Sequence, residues 1–275
     1  MNSAQQYCEE KTAKSGSSFY YSFLGLPPEQ RQAITAVYAF CRVVDDIVDE
    51  CSDSDIAAHK LNWWCIELDR IFSNQAQHPI GIALHTAIHR FDLPKYLFEQ
   101  ILSGMHQDLH FQGYTQLDAL IAYCYQVASA PGLLAARIFG FEDPKTLEYA
   151  KKLGLSFQWV NMIRDIGEDA TRGRIYFPRV ELDEYAVKAE DILERRYTLP
   201  FKHFMAFQAE RARSYYQEAL DLLPAIDRKK QRPGLIMAAI YFDLLRLIEK
   251  NDFRVLAQKI QLTPLRKWWL YWKNR

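Results

Sequence analysis

Apolar residues recur at three- and four-residue steps along most of the chain, the spacing of an amphipathic helix. In a segment opened by Pro27-Pro28 and running to about Asp49, Ile34, Val37, Tyr38, Cys41 and Val44 fall on one face. The same period predicts helices near 55–74, 79–91, 94–110 and 115–128. A break is expected at Ala130-Pro131-Gly132, followed by helices near 132–139, 144–170, 200–223, 232–250 and 264–273. Pro94, Pro144, Pro200, Pro233 and Pro264 stand at expected helix starts, where a proline forfeits no intrahelical hydrogen bond. No alternating strand series, Asn-Gly or Asp-Gly hairpin, internal repeat or Gly/Ser linker interrupts this pattern. The expectation is one all-α domain over residues 1–275, ending in a basic, aromatic tail at 264–275.

Charge narrows the function. Lys and Arg total 34, as do Asp and Glu, so there is no global basic charge for nucleic-acid binding. The polar start, with Glu9 and Glu10, does not read as a secretory signal, and no run of about 18 uncharged apolar residues reads as a membrane span. The expected location is cytoplasmic. Five cysteines, at 8, 41, 51, 65 and 124, include no CxxC pair and read as buried or incidental thiols. Neither GxGxxG nor GxxxxGK occurs among the eleven glycines, so no dinucleotide cradle is indicated and NADPH is not expected.

Two acidic clusters carry the chemistry. Asp45 and Asp49 are i,i+4 neighbours on one helical face, with Tyr38 and Arg42 continuing the stripe towards the N-terminus. Asn161, Asp165 and Asp169 form a second column at i, i+4 and i+8, flanked by Gln158 and Arg164. Like charges at this spacing repel, so helix propensity does not explain them. A single such cluster can be a solvated acidic face. Two clusters, each set among aromatic and aliphatic residues and each with an arginine, point to a diphosphate held between two helices by bridging Mg²⁺.

Residues 15–24 (SGSSFYYSFL), 38–49 (YAFCRVVDDIVD) and 161–178 (NMIRDIGEDATRGRIYFP) resemble the squalene/phytoene synthase family in order and spacing. The resemblance runs from about residue 10 to 250. Residues 15–29, Asn62-Trp63-Trp64 and residues 104–109 (GMHQDL) look most like the bacterial presqualene diphosphate synthases of hopanoid pathways. The resemblance implies a class I terpenoid synthase bundle around a deep apolar cavity. Asp45 and Asp49 would face Asn161, Asp165 and Asp169 across it and hold Mg²⁺. Arg42, Arg164 and Arg174 would take diphosphate oxygens, with Gln158 and Tyr176 beside them. Ser18 and Phe19 match a flap segment that contacts substrate, and Tyr38 and Tyr241 match tyrosines near the reacting carbons. Two departures stand out. Ser129-Ala130-Pro131-Gly132 replaces a family Gly-x-Val-Gly break, and Lys259 stands for a diphosphate-binding arginine, keeping the charge without the bidentate fork.

The implied reaction is a Mg²⁺-dependent head-to-head joining of two farnesyl diphosphates to presqualene diphosphate. The rivals are phytoene synthesis from geranylgeranyl diphosphate and complete, NADPH-dependent squalene synthesis. An inactive relative serving as an assembly factor should have lost the acidic column, whereas Asp45, Asp49, Asp165 and Asp169 are all present. The tail carries Arg266, Lys267, Lys273 and Arg275 with Trp268, Trp269, Tyr271 and Trp272 and no acid, so peripheral contact with the inner face of the membrane is a further expectation, as is work beside later enzymes of a hopanoid or squalene pathway.

Overall fold

Prolines set several helix starts where the sequence places them. Pro27 precedes the first turn of one long helix, and Pro200, Pro233 and Pro264 fall in first turns of others. The structure, a computed structural model, describes residues 3–14, 22–23, 25–51 and 53–274. Ser18 and Phe19 lie outside the described residues. The helices are α1 (Ser3–Lys14), α2 (Pro28–Glu50), α3 (Ser54–Phe72), α4 (Pro79–Phe91), α5 (Lys95–Leu109), α6 (Leu117–Cys124) and α7 (Ala130–Phe139). They continue with α8 (Lys145–Thr171), α9 (Arg179–Glu184), α10 (Ala189–Leu193), α11 (Leu199–Leu222), α12 (Arg232–Lys250) and α13 (Pro264–Asn274). No strand occurs among the described residues, and the all-α expectation holds. α1, α9 and α10 were not expected. Asp53 turns out to be a helix cap: its carboxylate accepts from the backbone N–H groups of Asp55 and Ile56 at 2.9 and 3.1 Å.

The expected break at Ala130-Pro131-Gly132 does not form. A π-helical turn, Tyr125–Ser129, joins α6 to α7 and makes Leu117–Phe139 continuous. Pro131 has no N–H to donate, and the wider turn before it accommodates that loss without ending the helix. Residues facing the interior recur here in steps of four: Tyr123, Val127, Pro131, Ala135 and Phe139. On a pure α-helix each such step drifts about 40° around the axis, and the extra residue of the π turn offsets part of that drift.

Continuity also corrects the expectation that no stretch is apolar enough to span a bilayer. Leu117–Phe139 is 23 residues long with a mean hydropathy of 1.4 over its most apolar window. Its apolarity has another use here. The helix packs against α5, α8 and α2, with Leu120, Cys124, Ala130, Leu134 and Ile138 fully buried.

Two apolar clusters meet along this helix and α8. One joins α2–α5, α7 and the start of α8; the other joins the rest of α8 to α11, α12 and α13. Trp159 is completely buried in the second and donates its indole N–H to Gln208 at 3.0 Å. Cys8 and Cys124 are buried, the other three thiols half-buried, and all five are free, as expected.

Gly154 is the point where α8 crosses the π turn. A Cβ there would stand 2.7 Å from the Ala128 carbonyl oxygen and 2.8 Å from Ser129 Cα. Both obstacles are backbone and cannot rotate away. Gly154→Val should therefore destabilise the fold by about 1–3 kcal/mol, outweighing any gain in helix propensity, as urea unfolding would measure.

Candidate active site

A cavity of about 280 Å³ lies between α2, α5, the Leu117–Phe139 helix, α8 and α12. Its far end is apolar, with Phe23, Ile34, Phe139 and Leu153 among the lining residues. Its mouth is polar. Arg42, Asp45, Asp108, Gln158 and Asn161 line the cavity there, one or two turns along α2, α5 and α8 from the apolar residues.

The two acidic helices face each other across this mouth, tied by residues far apart in sequence. Arg172, just past the end of α8, donates to Asp49 Oδ1 on α2 at 2.9 Å, and Arg174 approaches the same oxygen at 3.7 Å. On α2, Arg42 holds Asp45 at 2.6 Å and also pairs with Asp46, which Lys11 reaches from α1 at 2.8 Å. On α8, Arg164 grips Asp165 with two donors, the Nε contact at 2.7 Å. Lys259 sits at the rim, 2.5 Å from Glu168 and 3.5 Å from Asp165. Asn161 Nδ2 donates to Gln158 at 3.3 Å, while Asn161 Oδ1 is buried with no hydrogen-bond partner.

That orphaned oxygen tests the fit of Mg²⁺. An unsatisfied buried amide oxygen is costly unless something binds it. Beside Asp165 and Asp169 it completes a set of hard oxygen donors. No three acid, His or Cys side chains converge on a single point among the described residues. Mg²⁺ commonly shares a few protein oxygens with phosphate and does not require an all-protein cage. The donor set therefore suits Mg²⁺ with diphosphate.

Tyr38 and Tyr241 line the cavity just inside the charged mouth. Tyr241 is stacked on Phe157 with ring centroids 4.4 Å apart, and burial raises its phenol pKa. Tyr176 was expected beside diphosphate. Its hydroxyl donates to Asp108 at 2.9 Å, while Tyr123 donates to the other oxygen of the same carboxylate at 2.6 Å. Arg174 donates to the Asp108 backbone carbonyl at 3.1 Å. Tyr176, Tyr123 and Tyr114 stack about this carboxylate.

Asp108, Tyr123, Arg172 and Lys267 were missed from the sequence. Asp108 had a readable signal: it occupies the inward stripe Leu97, Ile101, Met105, where an acid is out of place. Lys267 had none, because only the fold turns it towards Arg164. Burial and that neighbouring guanidinium lower its ammonium pKa.

Burial dominates the titration of these carboxyls. Asp45 rises from 3.8 to about 7, through desolvation, with Asp49 and Asp46 adding to the rise and Arg42 opposing it. Its side chain is 41% exposed, because the mouth is open to water, but helices enclose the remaining sides. Asp169 also rises to about 7, and Asp108 to about 6, each chiefly through desolvation. For Arg164, burial disfavours the charge, but the bonds to Asp165 outweigh it and its pKa rises.

The metal-free folded state thus binds protons more readily at Asp45 and Asp169 than the unfolded chain does. Between about pH 4 and 7 these groups make stability fall as pH rises. Urea melts without Mg²⁺ should show this decline. Asp45→Asn should flatten it, and Mg²⁺ with inorganic pyrophosphate should stabilise the wild type most near pH 8, where the carboxylates are free of protons.

Residues 12–269 match the squalene/phytoene synthase family. The 15-cis-phytoene synthase of Synechococcus elongatus is 30% identical over 279 residues, covering 97% of this chain and 91% of its own. The chloroplastic phytoene synthase of an Oncidium hybrid cultivar is 31% identical over 273 residues and longer; the alignment covers 97% of this chain and 66% of that protein. A dehydrosqualene synthase solved in complex with ligand superposes with a TM-score of 0.90 at 27% identity, covering 98% of this chain and 95% of that one. For the squalene synthase HpnC from Alicyclobacillus acidocaldarius the TM-score is 0.82 at 28% identity, with 91% and 94% covered. These neighbours share its all-α isoprenoid synthase fold. Because the match runs through both acidic rims and the cavity wall between them, the chain belongs to the squalene/phytoene synthase family of enzymes.

Proposed function

We propose that residues 1–275 form one catalytic domain that joins two farnesyl diphosphates head to head, giving presqualene diphosphate and pyrophosphate. The observation that carries this reading is the facing pair of acidic rims at the mouth of an apolar cavity, with Asn161 Oδ1 buried and unpartnered between them. Mg²⁺, bound by Asp45, Asp49, Asn161, Asp165 and Asp169, would supply Lewis-acid neutralisation of the diphosphate charge.

The chain's own residues do the rest. Arg42, Arg164 and Arg174, with Arg172, Lys259 and Gln158, bind the diphosphate oxygens and stabilise the negative charge that grows as the allylic C–O bond breaks. The resulting C1 cation lies where Tyr38 and the stacked Phe157–Tyr241 pair offer ring faces, and apolar walls keep water from it. The C2–C3 double bond of the second substrate attacks that C1, and loss of one proton closes the cyclopropane. Two C15 diphosphates become one C30 diphosphate, pyrophosphate and a proton. The released pyrophosphate is the base, assisted by Tyr38 or Tyr241. Asp108 holds Tyr123 and Tyr176 in fixed orientation at the mouth. By the resemblance, Ser18 and Phe19 would contact substrate.

Chain length has a second reading. The related proteins of Synechococcus elongatus and the Oncidium hybrid cultivar are named phytoene synthases, which favours geranylgeranyl diphosphate as substrate. The farnesyl reading is supported by the hopanoid-type motifs and by the names of the two structural neighbours, a dehydrosqualene and a squalene synthase. The same reading places the enzyme in the cytoplasm, supplying the later steps of a hopanoid or squalene pathway.

Incubation with Mg²⁺ and each radiolabelled diphosphate, with and without NADPH, tests this directly. The expected product is presqualene diphosphate from farnesyl diphosphate, unchanged by NADPH. Squalene formed with NADPH, or phytoene as the dominant product, overturns it. Asp45→Ala and Asp165→Ala should each lower turnover by about 10²-fold or more while the protein stays folded. EDTA should silence the wild type, and Mg²⁺ should restore it.

A further inference from the structure

The last helix is amphipathic in an inverted sense. Along α13, Lys267, Leu270, Tyr271 and Asn274 turn inward, with Leu270 and Tyr271 each 6% exposed. The opposite stripe, at the same i, i+3, i+4, i+7 spacing, is Leu265, Trp268, Trp269 and Trp272, between 47% and 84% exposed. A surface helix of a water-soluble domain normally turns its polar stripe outward. Here the bulkiest apolar residues face solvent as one contiguous patch.

Cations border this patch on one side. The Arg266 guanidinium and the Lys273 ammonium lie over the Trp269 ring, 4.4 and 5.1 Å from its centroid. Asp243 of α12 anchors Arg266 through two bonds at 2.7 and 2.8 Å. No acid occurs from Pro264 to Asn274. The helix also stands beside the cavity mouth. Lys267 lies within electrostatic reach of Arg164, Tyr271 packs over Gly25, and Asp243 lies two residues beyond the cavity-lining Tyr241.

We propose that α13 is an interfacial helix: its Leu265–Trp268–Trp269–Trp272 stripe embeds among the headgroups of an anionic bilayer and seats the cavity mouth against the lipid. Charge complementarity selects this occupant: Arg266, Lys273 and Arg246 surround Asp243, so the charge beside the patch is net positive. Tryptophan favours the headgroup level, with its ring partly in the acyl region and its N–H among polar groups. At about 1.5 Å per residue, eleven residues reach roughly 16 Å, so the helix lies in the membrane plane and does not cross it. Prenyl tails would then pass between bilayer and cavity along α13 without traversing bulk water. This inference does not depend on substrate length or product.

The test uses the full chain and needs no substrate. Vesicles of phosphatidylcholine alone are compared with vesicles of phosphatidylcholine mixed with phosphatidylglycerol, by co-sedimentation and tryptophan emission. The wild type should bind the anionic vesicles with a blue shift and bind the neutral ones far less. Trp268→Ser combined with Trp272→Ser should weaken binding by about tenfold or more, with the melting curve checking that the variant remains folded. Lys273→Glu should weaken it at low salt and much less at high salt. Absence of wild-type binding, or equal binding by all three proteins, overturns the proposal. So does light scattering that shows a wild-type dimer and a monomeric tryptophan variant, since a second copy would then cover the patch.

Discussion

Negative charges that repel one another have to be kept at the edge of an apolar cavity, and the architecture is organised around that difficulty. Asp45, Asp49, Asp165 and Asp169 project from two helices whose opposite faces are locked into separate apolar clusters. Neither helix can turn away to relieve the repulsion. In the absence of ligand the arginines answer it: Arg42 on Asp45, Arg164 on Asp165, and Arg172 reaching from the α8 end to Asp49. These are the cations that would serve an incoming diphosphate. On the proposed function, substrate binding would exchange these partners, the guanidinium groups turning to phosphate as the carboxylates become free to hold metal. Each charge would keep an opposite partner before and after the exchange, so little charge would be left bare in a partly desolvated site.

A short distance inward the chemistry changes character. The charged mouth gives way within a helical turn or two to Val37, Tyr38, Phe157 and Met237, and from there the lining is largely aliphatic and aromatic. On the proposed function, that gradient would separate the two halves of a prenyl diphosphate by solvation, the head at the rim and the tail inside. It would also confine a carbocation to the zone where ring faces begin and water ends.

Much of this was legible in the sequence because it is local. The stripe Tyr38, Arg42, Asp45, Asp49 and the column Asn161, Asp165, Asp169 are consequences of helical period, and both stand on single helices where expected. What escaped reading is non-local. Arg172 and Asp49 are separated by 123 positions, and nothing in either neighbourhood names the other. Lys267 acquires its place beside Arg164 only when the last helix docks. Asp108 was visible as part of a motif, but its two tyrosine partners come from different helices or loops, so its orienting role could not be read from spacing. The π turn was misread for a different reason: a Pro-Gly pair is a strong local breaker, and the tertiary packing of Leu117–Phe139 between α5 and α8 overrides it.

That same turn decides where the cavity wall can change length. A π turn holds one residue more than an α turn over nearly the same rotation, so the segments before and after it keep the facing they would have without the extra residue. Deleting one residue from Tyr125–Ser129 would therefore restore an α turn and leave Pro131, Ala135 and Phe139 on the wall. The same deletion in an α-helical stretch would swing everything beyond it by about 100°. The π turn is thus the one stretch of this wall that can lose a residue and keep its lining.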